Sequence, residues 1–235
     1  MWGVDDMEVR MGRLLSTLYG LCKWITHFAY LNLLWVFFTL LGIGIFGIFP
    51  STVALYTVAR KNTMNEDDTP IFSTFFEAYK QELFKANCLG WLIVFIGLIW
   101  YFDLHFFRQF NGLFFNIMNY FMIIVGLIYI ALLLFIFPVY VHYDLKLRYY
   151  IKQALTIAFL RPGNLSLIFL GTLGAYYFYI TVPAFIPLFG ISLLVYFHMW
   201  VAFNGFESIH SYAQKIKSTE SKDIQLSARN HKNCS

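Results

Sequence analysis

Charge is what this chain lacks. Only 13% of its 235 residues are Asp, Glu, Lys or Arg, about half the roughly 25% expected of a soluble domain, while 59% are hydrophobic. A compact soluble fold of this length needs charge to solvate its surface. A mean hydropathy of +0.62 therefore excludes an ordinary cytosolic enzyme and makes lipid the solvent for most of the chain.

Other absences narrow the reading. Cys22, Cys88 and Cys234 are far apart and make neither a C-x-x-C pair nor a disulfide framework, so the thiols are expected to be buried or idle. The N-terminus mixes Asp5, Asp6 and Glu8 with Arg10 and Arg13 and lacks the order of a signal peptide, so the first hydrophobic helix is expected to stay in the mature protein. A net charge of +4, scattered between apolar blocks, gives no footprint for nucleic acid. No G-x-S-x-G, phosphate loop, H-E-x-x-H or intramembrane carboxylate pair is present, so neither an enzyme nor a cofactor or metal is expected.

What is present is a set of long charge-free runs, at 24–59, 86–102, 109–143 and 162–206. A spanning helix needs about 20 apolar residues. The second and third runs are then one helix each, and the fourth holds two, near 164–181 and 188–206, separated by the helix-ending Pro183 and Pro187. The first run would make a helix of about 54 Å, against a hydrocarbon core of about 30 Å. It is broken at Gly42, Gly44, Gly47 and Pro50. Either one helix from about Cys22 to Ile48 is followed by an interfacial segment, or the run is a hairpin whose second arm, from about Ile45 to Arg60, crosses back or re-enters.

The basic residues choose between these. Lys and Arg number three before the first run, four after it, one at Arg108, four from Lys146 to Arg161, none between the last two spans and five in the tail. Five crossings would split them 13 against 4; a hairpin splits them 16 against 1, which the positive-inside rule favours, with both termini cytoplasmic. The repeat of Ile48-Phe49-Pro50 as Ile136-Phe137-Pro138, each followed by an arginine (Arg60, Arg148), reads as two proline-kinked helices running in one direction.

Two loops carry amphipathic helices. In the first, Asp68 or Thr69 can cap, Pro70 suits the first position, and Phe72, Phe75, Phe76, Tyr79, Leu83 and Phe84 form one stripe, with Glu77, Lys80 and Lys85 on the other face. In the second, Leu147, Tyr150, Ile151, Ala154, Ala158 and Phe159 face away from Lys146 and Lys152, and Arg161-Pro162-Gly163 stops the helix. Helices so patterned are expected to lie in the membrane interface on the cytoplasmic side. Glu77, Lys80 and Lys85 are the candidate face for docking a partner; the same residues would also suit a plain solvated face. The expected fold is all-α: a polytopic transmembrane helix bundle of five or six spans over 1–210, with a disordered cytoplasmic tail at 211–235.

Several segments resemble the YesL-type family of bacterial integral membrane proteins: Tyr30 to Trp35, Gly42 to Gly47, Phe49 to Tyr56, Asp67 to Phe76, and Phe84 to Gly90. The family is a domain of unknown function whose members often neighbour genes for carbohydrate uptake and breakdown. The resemblance implies a non-enzymatic accessory or permease-like component of carbohydrate transport or utilisation, partnered by the bilayer and by sugar ABC transporter subunits or another membrane protein. A membrane sensor or scaffold docking a cytoplasmic partner is the alternative. The oligomeric state is left open.

The remaining candidates are polar groups inside the runs. His27 and His198 are costly in lipid and so are functional candidates or hydrogen-bonded neutral imidazoles; Asn32 and Asn204, like Asn116 and Asn119, can serve a substrate or bond neighbouring helices. The pairs Asp103/His105 and His142/Asp144 are expected at opposite sides of the membrane, too far apart to share a metal.

Overall fold

A computed structural model describes residues 4–64, 70–110 and 112–208, with side chains from residue 15 onward. The helices are α1 (Val4–Leu41), α2 (Ile48–Thr63), α3 (Ile71–Arg108), α4 (Leu113–His142), α5 (Leu147–Leu160) and α6 (Pro162–Thr181). A 3-10 turn at Pro183–Phe185 then leads into α7 over residues 186–208. Among the described residues there is no strand. The tail 211–235 and the capping residues Asp68 and Thr69 lie outside the described residues.

The first run doubles back. Its turn places Ile43 and Gly44 at φ of +59° and +71°, and a Cβ on Gly42 would stand 2.3 Å from the Gly47 Cα, so the two arms meet backbone to backbone. Across the hairpin the Trp35 indole donates to Thr52 Oγ1 at 3.1 Å. The returning arm, α2, has 16 residues and rises about 24 Å, less than a hydrocarbon core of about 30 Å.

Short as it is, α2 is the centre of the bundle. Its Ala54, Leu55 and Val58 pack with Leu31 and Phe38 of α1, Phe75 of α3 and Met199 of α7. Its Val53 joins the second core, built from Phe135 and Ile136 of α4, Ile157 of α5, Ile168 of α6 and Phe206 of α7.

Four helical segments are long and apolar enough to cross a membrane: Leu15–Leu41, Ile71–Arg108, Leu113–His142 and Pro183–Ser208. The pair α5 and α6, bent by 99°, makes a fifth if taken as one span. The architecture is thus an all-helical transmembrane bundle. Between the last two helices the chain reverses at Pro183, where the proline pair requires it.

One boundary differs from expectation. The segment 71–85 is not a separate surface helix but the start of α3, a single helix of 38 residues and about 57 Å. Between Pro70 and Arg108 there is no proline and there are two glycines, Gly90 and Gly97, and lone glycines do not stop a helix that packing supports. The buried stripe is also narrower than the aromatic pattern suggests. Phe75 and Tyr79 are buried with Thr74 and Ala78, whereas Phe72, Phe76, Leu83 and Phe84 are exposed. The expected α5 forms as the sequence indicates, but Ile157 rather than Phe159 completes its buried face with Tyr150, Ala154 and Ala158.

Direction is set by long-range contacts. α3 and α4 are antiparallel, joined by Trp100 Nε1 to the Met122 carbonyl at 2.8 Å, Tyr129 Oη to the Ile93 carbonyl at 3.0 Å, and Tyr140 Oη to the Glu82 carboxylate. α2 and α4 run the same way: Tyr56 stacks on Phe137 at 5.8 Å, and Arg60 donates to the Val141 carbonyl at 2.9 Å. The shared Ile-Phe-Pro does not mark two equivalent kinks, however. Pro50 sits in the first turn of α2, where a missing N–H costs nothing, and Pro138 lies near the end of α4. Asp103 and His105 lie at the α3 end, and His142 at the opposite end of antiparallel α4, where its ring stacks on Phe206 at 4.5 Å.

Candidate functional site

Polar side chains in the bundle converge on α7. Burying such groups is unfavourable unless each finds a partner, so their pairing dictates where helices meet.

Asn32 of α1 is buried against the start of α7. Its amide donates to the Ile186 and Pro187 carbonyls at 3.1 and 2.8 Å, and its Oδ1 accepts from the Ile191 N–H at 3.2 Å. Pro187 and Ile191 are four residues apart, so the amide bridges the two groups of one helical turn at the proline-bearing end of α7. One turn of α1 earlier, the Ser192 hydroxyl donates to the Phe28 carbonyl at 3.1 Å. Asn32 is therefore a helix-docking residue with its donors and acceptor committed.

His198 of α7 lies 3.1 Å from Tyr56 Oη of α2 and 2.9 Å from Thr172 Oγ1 of α6. The Thr172 hydroxyl gives its proton to the Ile168 carbonyl at 2.7 Å, so it can only accept from His198. That assigns the imidazole proton to Nε2 and makes Nδ1 the acceptor for Tyr56. Both ring nitrogens are thus engaged, and the ring is shared by three helices.

His27 of α1 is different because its pair opens to the surface. His27 Nε2 stands 2.8 Å from Tyr196 Oη, which also accepts from Asn62 Nδ2 of α2 at 3.3 Å. These three groups form one wall of a cavity of about 1040 Å³ between α1, the end of α2, the start of α3 and α7. Lys23 lines it too, with the aromatic faces of Trp24, Phe28, Phe197 and Trp200. No carboxylate is among the described residues that line it. The arrangement offers a cation, a short polar chain and an aromatic body.

Asn204, grouped with these residues by its position in the sequence, is exposed on α7. The interhelical bond at that level comes instead from Asn164 in the first turn of α6, whose amide donates to the Val201 carbonyl at 3.0 Å beside Gly205. Sequence reasoning treated Asn164 only as the start of a span. Tyr56, Thr172, Tyr196 and Asn62 were likewise not singled out, since their roles depend on partners more than a hundred residues away or on a neighbouring helix. Glu77, Lys80 and Lys85 are all exposed on α3, as a docking face requires, while Glu82 turns inward to Tyr140. Cys22 and Cys88 are exposed free thiols, not buried ones.

No solved structure matches the chain. A family model described as a protein of unknown function, DUF624, matches residues 28–104. The uncharacterized protein YteU of Bacillus subtilis (strain 168) is 38% identical over 195 residues, covering 82% of this chain and 85% of its own length. The uncharacterized proteins YesV and YesL of the same organism are 39% and 32% identical, covering 82% and 84% of this chain and 92% and 93% of theirs. With likeness of that extent over most of both partners, the chain belongs to the DUF624 family, as the resemblance of its segments between Tyr30 and Gly90 to YesL-type proteins implies.

Proposed function

We propose that this protein is a non-enzymatic membrane component that works beside carbohydrate-uptake machinery, as an accessory or permease-like subunit. The carrying observation is the exposed face of α3 at Glu77, Lys80 and Lys85. A helix of about 57 Å is longer than a hydrocarbon core of about 30 Å, so part of it must stand outside the lipid. The charged first third is the part that leaves lipid at least cost, and it then presents these three side chains to a soluble or membrane-peripheral partner.

Orientation follows from charge. Arg60, Lys61, Lys146, Arg148, Lys152 and Arg161 gather where α2 ends, α3 begins and α5 bends into α6; Arg108 stands at the other end of α3. The positive-inside rule makes the first end cytoplasmic. The antiparallel pairing of α1 and α7 through His27–Tyr196 and Asn32–Ile191 supports both termini on that side. The 99° bend between α5 and α6 supports an interfacial α5 beside a spanning α6.

The test is affinity purification of the full chain in mild detergent. It should recover sugar-transporter subunits, and Glu77→Ala, Lys80→Ala and Lys85→Ala together should lose them and reduce sugar uptake. A partner-free preparation, with unchanged uptake in a deletion strain, would overturn the reading. The same exposed face also fits a sensor or scaffold. In that case the triple variant alters downstream gene expression while uptake stays at the wild-type rate.

A further inference from the structure

We propose that the α1–α2 hairpin is re-entrant: both arms meet the membrane on the side where α2 ends, and the tip, Gly42–Gly47, is a contact surface for lipid acyl tails inside the bilayer. It does not reach water on the far side.

Three observations carry this. The first is depth. The tip is placed along α3 by Asn87, whose amide donates to the Phe46 carbonyl at 2.8 Å, and by Gly90, whose missing side chain makes room for the Phe49 ring; Trp91 and Val94 then line one groove with Ile43 and Ile45. The charged residues that bracket this stretch of α3 are Lys85 and Asp103, 18 residues apart, which makes about 27 Å of uncharged helix against a hydrocarbon core of about 30 Å. The tip lies between them and ends, at Val94, about 13 Å short of Asp103. The neighbouring α4 is uncharged along its whole length and pairs with α3 at this depth, through Tyr129 and the Ile93 carbonyl.

The second observation is the backbone. A turn in hydrocarbon has no water to pair with, so it must satisfy its own polar groups and keep them against protein. Every N–H from Gly42 to Ile48 donates to a carbonyl of the hairpin itself, at 2.8–3.2 Å. Gly47 is buried, Gly42 and Gly44 are half-buried, and Asn87 serves the Phe46 carbonyl from outside the turn.

The third is the side chains. No polar residue occurs from Leu40 to Pro50, and Leu40, Leu41, Ile43, Ile45 and Phe46 are all exposed. Turns in water favour Asn, Asp and Ser, and the reversal at the far end of α3 follows that rule with Arg108, Gln109 and Asn111. Acyl tails are the solvent that five exposed apolar side chains fit, and they also fill the groove of about 440 Å³ between the tip and Trp91.

The inference does not depend on the partner proposed above. It is tested on the full chain, freed of native cysteines and reconstituted into phosphatidylcholine vesicles, with one nitroxide label at a time on Ile43→Cys, Ile45→Cys, Lys80→Cys or Phe110→Cys. Power saturation compares collision with oxygen, which concentrates among acyl tails, and with a water-soluble nickel chelate present on both sides. The oxygen-to-chelate ratio should be several-fold higher at positions 43 and 45 than at 80 and 110. A ratio at both tip positions as low as at Phe110→Cys places the tip in water on the far side and overturns the proposal. A ratio as low as at Lys80→Cys, with Phe110→Cys higher, places it in water on the near side and overturns it equally. As a label-free check, Ile43→Lys should lower the melting temperature in the same vesicles while Phe110→Lys leaves it unchanged; equal tolerance of both lysines counts against a tip in lipid.

Discussion

His198 accepts a hydrogen bond from Tyr56 at 3.1 Å and holds together helices that are distant in the chain. Because Thr172 takes the Nε2 proton, only the phenol can satisfy Nδ1. Tyr56→Phe should therefore destabilise the bundle by about 0.6 kcal/mol, and at most about 1.7, the range for interhelical bonds in lipid. Thr172→Val should cost a similar amount. Thermal unfolding in a fixed detergent reads both, and a double-mutant cycle with His198→Phe should give a positive coupling between positions 56 and 198. Additive losses would show that the ring is held by packing alone.

Asn32 makes a sharper case, since one side chain serves three backbone groups of α7. Asn32→Asp keeps the shape but turns the two donors into acceptors facing the Ile186 and Pro187 carbonyls. It should destabilise more than Asn32→Ala, which costs about 1–3 kcal/mol through unsatisfied groups. The measurement is the fraction remaining monodisperse after heating. Wild-type behaviour in the Asp variant would mean that the amide is rotated and the assigned bonds are wrong.

At the hairpin turn the expected signs are opposite at two positions four residues apart. Ile43 is β-branched, 83% exposed and held at φ +59°, a region costing an L-residue roughly 1–2 kcal/mol. Ile43→Gly should raise stability by up to about 1 kcal/mol, the entropy of glycine offsetting part of the gain. Gly47→Ala should do the reverse and block folding, because its Cβ would fall 2.4 Å from the Thr39 carbonyl oxygen. If Gly47→Ala elutes and melts like the wild type, the two arms are not in backbone contact.

The breaks in this fold were legible because they are written in residues with one dominant backbone effect. Gly42, Gly47 and the Pro183/Pro187 pair located two reversals, and Arg161-Pro162 located the α5–α6 bend. The lone polar residues His27, Asn32 and His198 were legible for the same reason: each is expensive in lipid. Their partners were not, since a tyrosine or threonine in a membrane run is ordinary until a distant helix gives it a role. Asn204 and Asn164 are indistinguishable by type and hydropathy, and only the packing of α6 on α7 decides which turns inward. The continuity of α3 was hidden by its charge. Glu77, Lys80 and Lys85 interrupt hydropathy without interrupting helical backbone, so a change of solvent was taken for a change of element.

That continuity yields the most decisive measurement. Phe72 and His105 are both exposed on α3. In a background lacking the native cysteines, Phe72→Cys and His105→Cys carry spin labels whose separation can be read by double electron–electron resonance. A single straight helix between them rises about 50 Å at 1.5 Å per residue. A right-angle break at residue 86, which an interfacial helix would require, shortens the backbone separation to about 35 Å by the same rise. The gap is wider than the label tethers blur, so a distribution centred near the smaller distance would return 71–85 to the membrane surface. It would also remove the length argument on which the projecting Glu77–Lys80–Lys85 face rests.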